Sequence, residues 1–322
     1  MSRIRIQTPS RLHFGLLAWG PQSPRQFGGV GLMVDAPALV LSAEPAHQWG
    51  AEGPLAGRAL EIATAVATRL SAAGSDVPPC QIRVERAPAE HVGLGVGTQL
   101  SLAVTRALLA VWALPDPSVE ELSALTGRGQ RSGIGLHGFV HGGLIVDGGR
   151  GRSESAPPLL ANAGFPSDWA VLVIQPPGNP GLHGGDELRA FANLPPIADR
   201  VTERLCRLVL LGLLPAVQER DLESFGAALA ELQQQVGQCF APAQGGIYAR
   251  AELEAIVADL RAQGLHGVGQ SSWGPTLYAF SNRSPEERRR ILEPIRSRFG
   301  LPADALLWTS ASPGGSQLER ID

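Results

Sequence analysis

The chain encodes no lysine. All 27 of its basic residues are arginine, and that single absence removes several kinds of chemistry. A P-loop needs Gly-Lys followed by Ser or Thr, protein kinases need a strand lysine, and Schiff-base catalysis needs an amine. Cysteine is scarce as well: Cys80, Cys206 and Cys239 stand alone. No Cys-x-x-Cys pair is available for zinc or redox chemistry, and so sparse a set fits packing roles in a reducing compartment. Neither sign of charge dominates. With a net charge of −3 and a pI near 6.2, the protein lacks the basic surface that nucleic acid or an anionic membrane requires, so neither is expected as a partner. A polyanionic ligand must be held by a local site. Long apolar runs are missing too. "MSRIRIQTPSRLHFGLL" has no signal-peptide segment, and "LVLLGLLPAV" (208–217) is too short to cross a bilayer and contains a proline. A cytoplasmic protein is expected.

What is present is an ordinary globular composition, 44% apolar and 18% charged over 322 residues, a length that favours two domains. Residues 3–17 alternate and then run apolar as a strand. Residues 28–44 read as two strands broken at Asp35-Ala-Pro37, 58–74 as a helix and 80–88 as a strand. A helix over 98–112 follows, and "SVEELSALTG" (118–127) carries a capping box, Ser118 with Glu121, closed by glycine. A strand is expected at 144–147. The stretch 149–168, polar and rich in Gly, Pro and Ser, is the best linker candidate. Beyond it come a buried strand in "WAVLVIQPP", helices at 185–193, 198–214, 221–236, 251–263 and 285–299, and a last strand near 305–310. Strands and helices mix in both halves without steady alternation, which predicts two α+β domains, 1–160 and 161–322.

The most informative stretch is "HVGLGVGTQLSLAV" (91–104). Glycine at 93, 95 and 97 costs chain entropy but lets backbone approach a ligand, directly before a helix whose Leu100, Ala103, Val104, Ala107, Leu108 and Val111 share one face. The first amides of that helix, around Gly97, Thr98 and Gln99, lack intrahelical partners and carry the positive end of the helix dipole, a phosphate cradle that needs no lysine. Thr98 and Ser101 add hydroxyls able to reach a phosphate oxygen or Mg²⁺. A tight turn packing a helix on a sheet is the plainer alternative.

Three further stretches share this character. "TPSRLHFGLL" (8–17) puts Arg11 and His13 on one face of a strand, and "GRGQRSGIG" (127–135) sets Arg128 and Arg131 among glycines, a pattern suited to phosphate or carboxylate. "GVGQSSWGP" (267–275) clusters Gln270, Ser271, Ser272 and Trp273 at a turn, suited to an aromatic or sugar ligand. Weaker candidates remain. His137 and His141 have metal-ligand spacing, but the surrounding glycines argue against a helix there. Asp147 reads as a turn carboxylate or a Mg²⁺ ligand. "GLHGGDE" gathers His183, Asp186 and Glu187, with helix capping by Asp186 favoured.

On these residues, "GLGVGTQLSLAV" resembles the phosphate-binding motif of the GHMP kinase superfamily, Pro-x-x-x-Gly-Leu-Gly-Ser-Ser. More narrowly, "PSRLHFGLL", "FGGVGLMVD", "HVGLGVGTQLSLAV", "GRGQRSGIGLHGFVHGGLIVDGG" and "GVGQSSWGPTLYAF" resemble signature stretches of the β-ribofuranosylaminobenzene 5′-phosphate synthases, in the family's order from residue 9 to 280. The resemblance implies a two-domain GHMP-kinase-like α+β fold whose C-terminal domain has a ferredoxin-like core. It implies condensation of phosphoribosyl pyrophosphate with 4-hydroxybenzoate or 4-aminobenzoate, releasing pyrophosphate and CO₂ on the way to methanopterin coenzymes, with Mg²⁺ assisting. The roles expected on that basis are phosphate binding by Gly93, Gly95, Gly97, Thr98, Gln99, Ser101, Arg128 and Arg131. Arg11 and His13 are expected near the reacting centre. Asp147 is expected there too, holding Mg²⁺ with Ser101, and Gln270, Ser271, Ser272 and Trp273 are expected against the aromatic substrate. A homodimer is expected from base rates alone. Where the kinases read Ser-Ser this loop has Val96 and then Gly97-Thr98, and Arg11 stands where many carry lysine. An ATP-dependent GHMP kinase of small molecules is the alternative, and a catalytically silent ligand-binding relative is a third.

Overall fold

The computed structural model describes residues 3–152 and 156–321. Two sheets organise it. The first has seven strands, five of them in the order β11-β1-β2-β4-β3, with β5 on the other half of β2 and β6 on β5. Its spine is β1 (Arg3–Ala18) against β2 (Phe27–Pro45), antiparallel from Ile4↔Ala43 to Ala18↔Phe27. β2 is one strand of 19 residues, not two. Its first half pairs with β5 (Leu144–Asp147) and its second with β4 (Cys80–Arg86), which pairs in turn with β3 (Gly50–Glu52). β1 pairs on both sides of Asp35-Ala-Pro37 with a register shift between Thr8↔Leu39 and Ser10↔Val34, so the turn residues bulge the strand without ending it. On this sheet pack α1 (Ala56–Ala72), α2 (Val96–Val111) and α4 (Ile134–His141), and α3 (Val119–Thr126) packs on these helices. The capping box of Ser118 and Glu121 and the Gly127 cap on α3 are as expected.

Two readings fail here for identifiable reasons. The candidate linker holds β6 (Leu159–Ala163), paired with β5; residues 153–155 lie outside the described residues. A boundary at 160 passes through that strand. Glycines also do not prevent α4. A Cβ at Gly138 would stand 2.2 Å from Met33 Sδ, so that glycine lets the helix lie close on β2, and packing outweighs its cost in helix propensity.

The second sheet comprises β7 (Ala170–Ile174), β8 (His266–Gln270), β9 (Leu277–Ser281) and β10 (Leu306–Ser310) in the order β10-β7-β9-β8, with every pair antiparallel. That order, with helices crossing between β7 and β8 and between β9 and β10, is the expected ferredoxin-like core. Side chains divide by alternation. Leu172, Ile174, Leu277 and Ala279 pack against α9 (Glu252–Ala262) and α10 (Pro285–Phe299). Val171, Val173, Tyr278 and Phe280 join the larger core with Phe225 and Leu229 of α8 (Leu222–Gln244).

Between β7 and α8 the chain forms α5 (Gly184–Asn193), α6 (Asp199–Leu208), a π-helical turn at 209–213 and α7 (Leu214–Glu219). A strand with no counterpart in the sequence reading, β11 (Gln317–Ile321), returns the end of the chain to β1. α8 joins the two sheets. Its Gln233 donates from Nε2 to the Phe14 carbonyl of β1 and accepts at Oε1 from the Gln270 amide of β8, 2.8 Å away. The main cavity opens at this junction.

Candidate active site

The glycine loop is held from both sides. The Arg11 amide of β1 donates to Leu94 O at 3.0 Å, and on the far side Thr276 N donates to Val92 O and Ser271 Oγ to Gly93 O at 2.7 Å. Ser271 also accepts from the His13 amide at 2.9 Å, so it brackets strand and loop together. Two of the three glycines have conformational reasons to be glycine. Gly93, at φ 93°, brings the chain so close to Ser271 that a Cβ would lie 2.3 Å from its carbonyl oxygen. Gly95, at φ 74°, is the left-handed residue that starts α2 over the Arg11 side chain. Gly97 leaves room for Arg58, whose Nη2 would be 2.5 Å from a Cβ there.

Which amides stay open differs from the expectation. Thr98 N and Gln99 N both turn back on Gly95 O, at 3.0 and 3.1 Å, so the free amino end belongs to Val96 and Gly97. The helix behind them is rigid, with Leu100, Ala103, Val104, Ala107, Leu108 and Val111 all buried.

These groups face a cavity of about 470 Å³ lined both by cations and by aromatic rings. Arg11, Arg58 and Arg128 line it beside Gly95, Val96 and Gly97. Arg58 pairs with Glu90, and Arg128 donates Nε and Nη2 to Ser101 Oγ at 3.1 and 2.9 Å. Arg11 Nε is covered and without a partner. Burial, with Arg131 adding to it, pulls Arg11 down to about 10, although Glu187 and Asp147 act against the shift. Burial, then the neighbouring Arg58, also lowers Arg128. His13, buried beside Arg11 and Arg131, is held well below its ordinary range, burial being the largest cause. It is neutral at neutral pH.

Phe191, Phe240 and Trp273 cluster on its wall, with ring centroids 4.5 Å apart for Phe240–Trp273 and 5.5 Å for Phe191–Trp273. Arg131 lies with these rings: its guanidinium is 5.6 Å from the Phe191 ring centre, and Nη2 donates to Glu187 Oε2 at 2.7 Å. The rim carries His91 and His183, stacked at 3.7 Å between ring centres. His91 is lowered by partial burial, then by His183 and Arg58.

Of the residues singled out from sequence, Arg11, His13, Gly93, Gly95, Gly97, Thr98, Arg128, Arg131, Gln270, Ser272 and Trp273 line this one cavity. Gln99, Ser101, Asp147 and Ser271 lie behind it as supports. Gln99 donates to Gly135 O at 2.9 Å, and Ser101 serves Arg128. Gln270 borders the cavity with its amide already used, accepting from Ala249 N at 2.7 Å and donating to Ser272 O at 3.1 Å. His137 and His141 do share a helix, but His137 Nε2 bonds Pro157 O at 2.7 Å and neither borders the cavity. Asp186 caps nothing; it pairs with Arg189. Sequence reasoning missed Arg58, Phe191 and Phe240, and it undervalued Glu187. The glycine at 97 is the one trace Arg58 leaves.

Mg²⁺ held by Asp147 and Ser101 does not fit this arrangement. Asp147 is fully buried and accepts from Ser132 Oγ at 3.0 Å, Gly133 N at 3.0 Å and Gly149 N at 2.8 Å, so donors already occupy its oxygens. Among the described residues, no group of three or more His, Cys, Asp or Glu could hold an ion.

Comparison with known proteins places this geometry. The chain is 33% identical over 306 residues to the β-ribofuranosylphenol 5′-phosphate synthase of Methanothermobacter thermautotrophicus, covering 87% of this chain and 89% of that protein. It is also 33% identical over 329 residues to the protein of that name from Archaeoglobus fulgidus, covering 98% and 99%. The chain belongs to the β-ribofuranosylphenol 5′-phosphate synthase family. Residues 213–300 of this family member match the GHMP kinases C terminal model. Its fold is similar to that of the homoserine kinase of Cytophaga hutchinsonii, with a TM-score of 0.68 and 16% identity over 99% of this chain and 98% of that one. The fold is therefore the GHMP-kinase-like α+β fold.

Proposed function

We propose that this family member condenses phosphoribosyl pyrophosphate with 4-hydroxybenzoate or 4-aminobenzoate, forming a carbon–carbon bond from the ring to C1 of the ribose and releasing pyrophosphate and CO₂, a step toward the methanopterin coenzymes. One observation carries the reading beyond the family name: a single cavity joins a lysine-free cationic cradle to an aromatic box. Departure of pyrophosphate leaves an oxocarbenium-like sugar and a developing polyanion, and preorganised donors stabilise such charge best. The open amides of Val96 and Gly97, with Arg11 and Arg58 beside them, take the pyrophosphate. Arg128, braced by Ser101, takes the 5′-phosphate. Phe191, Phe240 and Trp273 hold the ring and keep water from the sugar cation.

Neutral His13 stands beside Arg11 as a hydrogen-bonding neighbour of the reacting centre, its Nε2 3.2 Å from Ser132 Oγ. Ser132 donates its own proton to Asp147, so Nε2 carries the imidazole proton. Asp147 serves this chain of contacts. Any Mg²⁺ in the reaction belongs to the diphosphate as part of the substrate. A cytoplasmic homodimer completes the reading. No helix among the described residues is long and apolar enough to cross a membrane, and twofold dimers are the commonest assembly.

The test uses two incubations. One supplies phosphoribosyl pyrophosphate with carboxyl-labelled 4-hydroxybenzoate; the other supplies ATP with sugars or isoprenoid alcohols. Labelled CO₂ in the first alone is expected. ADP in the second alone replaces this reading with the kinase, and neither product leaves a ligand-binding relative.

A further inference from the structure

Among the described residues that line the cavity, Glu187 is the one carboxylate. It reaches in from α5, a helix with no buried residue, and sits where the aromatic cluster meets Arg131. Oε1 accepts from Trp273 Nε1 at 3.1 Å and Oε2 from Arg131 Nη2 at 2.7 Å. A carboxylate offers about four acceptor positions, so each oxygen keeps one toward the cavity. Gln270 and Gln233, which also line the cavity, have both ends of their amides committed.

Resting on the proposed function above, we infer that Glu187 receives the para substituent of the aromatic acceptor and takes its proton during the reaction. The proposed reaction fixes the orientation. The ring carbon that bears the carboxylate must face ribose C1 beside the phosphate-binding arginines, so the para hydroxyl or amino group, on the opposite side of the ring, points away from them toward Trp273 and Phe191, where Glu187 lies.

The step balances as follows for the phenol. The ring carbon bearing the carboxylate bonds to ribose C1 while the bond from C1 to the pyrophosphate oxygen breaks, and the para O–H proton moves to Glu187, giving a neutral cyclohexadienone. The electron pair of the carbon–carboxylate bond then returns to the ring, CO₂ leaves, and Glu187 gives its proton back to the phenolate oxygen. The carboxylate ends as it began, and no oxidant or reductant is consumed. An acceptor without a para donor, such as 4-methoxybenzoate, is excluded by the same geometry.

The experiment compares wild type with Glu187→Gln on 4-hydroxybenzoate and on 3,5-difluoro-4-hydroxybenzoate, following CO₂ release with phosphoribosyl pyrophosphate. An ordinary phenol ionises near pH 10, whereas the fluorines leave the second acceptor ionised at neutral pH, with no proton to remove. With 4-hydroxybenzoate, Glu187→Gln should lose about 100-fold in kcat, the scale of general-base catalysis, and keep the KM for phosphoribosyl pyrophosphate. With the difluoro acceptor the loss should shrink to roughly 5-fold or less. Full activity of the variant on 4-hydroxybenzoate, or an equal loss on both acceptors, as a mere tether of α5 to Arg131 would produce, overturns the inference. Should the glutamine variant not fold, Glu187→Asp is read in the same way, and the acceptor dependence of its loss decides. A wild-type protein that releases no CO₂ from either acceptor instead overturns the function on which the inference rests.

Discussion

Arg11 Nε would lie 3.1 Å from a Cβ on Gly95. The glycine that starts α2 and the unpartnered cation of β1 therefore form one unit, and replacing either should damage it. Alanine at Gly95 meets the guanidinium and must also adopt a left-handed φ, costing about 1–2 kcal/mol in backbone strain alone. Gly95→Ala is expected to raise the KM for phosphoribosyl pyrophosphate at least 10-fold, measured by initial rates. An unchanged KM would separate the glycine from the ligand.

Stability and affinity should part company at Arg11. Desolvation without a hydrogen-bonding partner at Nε pulls Arg11 down to about 10, a cost on the order of 3 kcal/mol in the free protein. Arg11→Met should therefore melt at a higher temperature than wild type. It should also lose most of the stabilisation that phosphoribosyl pyrophosphate confers, since a ligand stabilises only in proportion to its binding. Thermal melts with and without the ligand read both effects.

Asp147 is assigned to structure, and its removal should say so. Asp147→Ala strands the Ser132 hydroxyl and the Gly133 and Gly149 amides, and unsatisfied buried donors make a loss of about 3 kcal/mol the expected outcome. The Mg²⁺ concentration needed for half-maximal rate should not move. A variant of native stability with a raised Mg²⁺ requirement would return Asp147 to the metal.

Two buried groups bend the acid stability curve in opposite directions. His13 has its pKa lowered by burial, then by Arg11 and Arg131. Below pH 6.5 the unfolded chain therefore takes a proton the native state refuses, and stability falls with falling pH. Asp147, pushed up to about 6 chiefly by burial, binds its proton in the native state first, adding stability as pH falls from 6 toward 3.8. His13→Gln removes the first effect and keeps the second. Urea unfolding at pH 6.5 and pH 5 should show the variant gaining on wild type over that interval; parallel changes would contradict the assignment.

The aromatic cluster predicts a different kinetic split. Phe240 meets Trp273 edge-on, with ring centroids 4.5 Å apart. Phe240→Ala should raise the KM for the benzoate by roughly 10-fold, from apolar surface lost to the ligand, while the KM for phosphoribosyl pyrophosphate holds. Equal changes in both constants would place the ring elsewhere.

Much of this arrangement was legible in the chain because it is local. The apolar stripe of α2, the glycines before it and the capping box of α3 are written within a turn or two of the residues they affect. β11 was not, because "QLERI" is a short, charged edge strand whose partner is the first strand of the protein, with Arg5 and Glu319 joined across the pair. α4 was misread because its glycines answer to Met33, about a hundred residues away. Arg58 and Glu187 belong to helices whose local patterns say nothing of the cavity. The site reading picked out the glycine loop that borders the cavity, but beside the Gly97 amide it counted those of Thr98 and Gln99, which turn back on Gly95 O, and left out Val96. It also gave Asp147 and Ser101 to a metal, where one braces a turn and the other an arginine.

A crystal structure with phosphoribosyl pyrophosphate bound tests the central claim most directly. The account predicts the diphosphate on the amides of Val96 and Gly97, with the Arg11 guanidinium in contact. A diphosphate bound away from residues 93–98, with Arg11 still unpartnered, would contradict it.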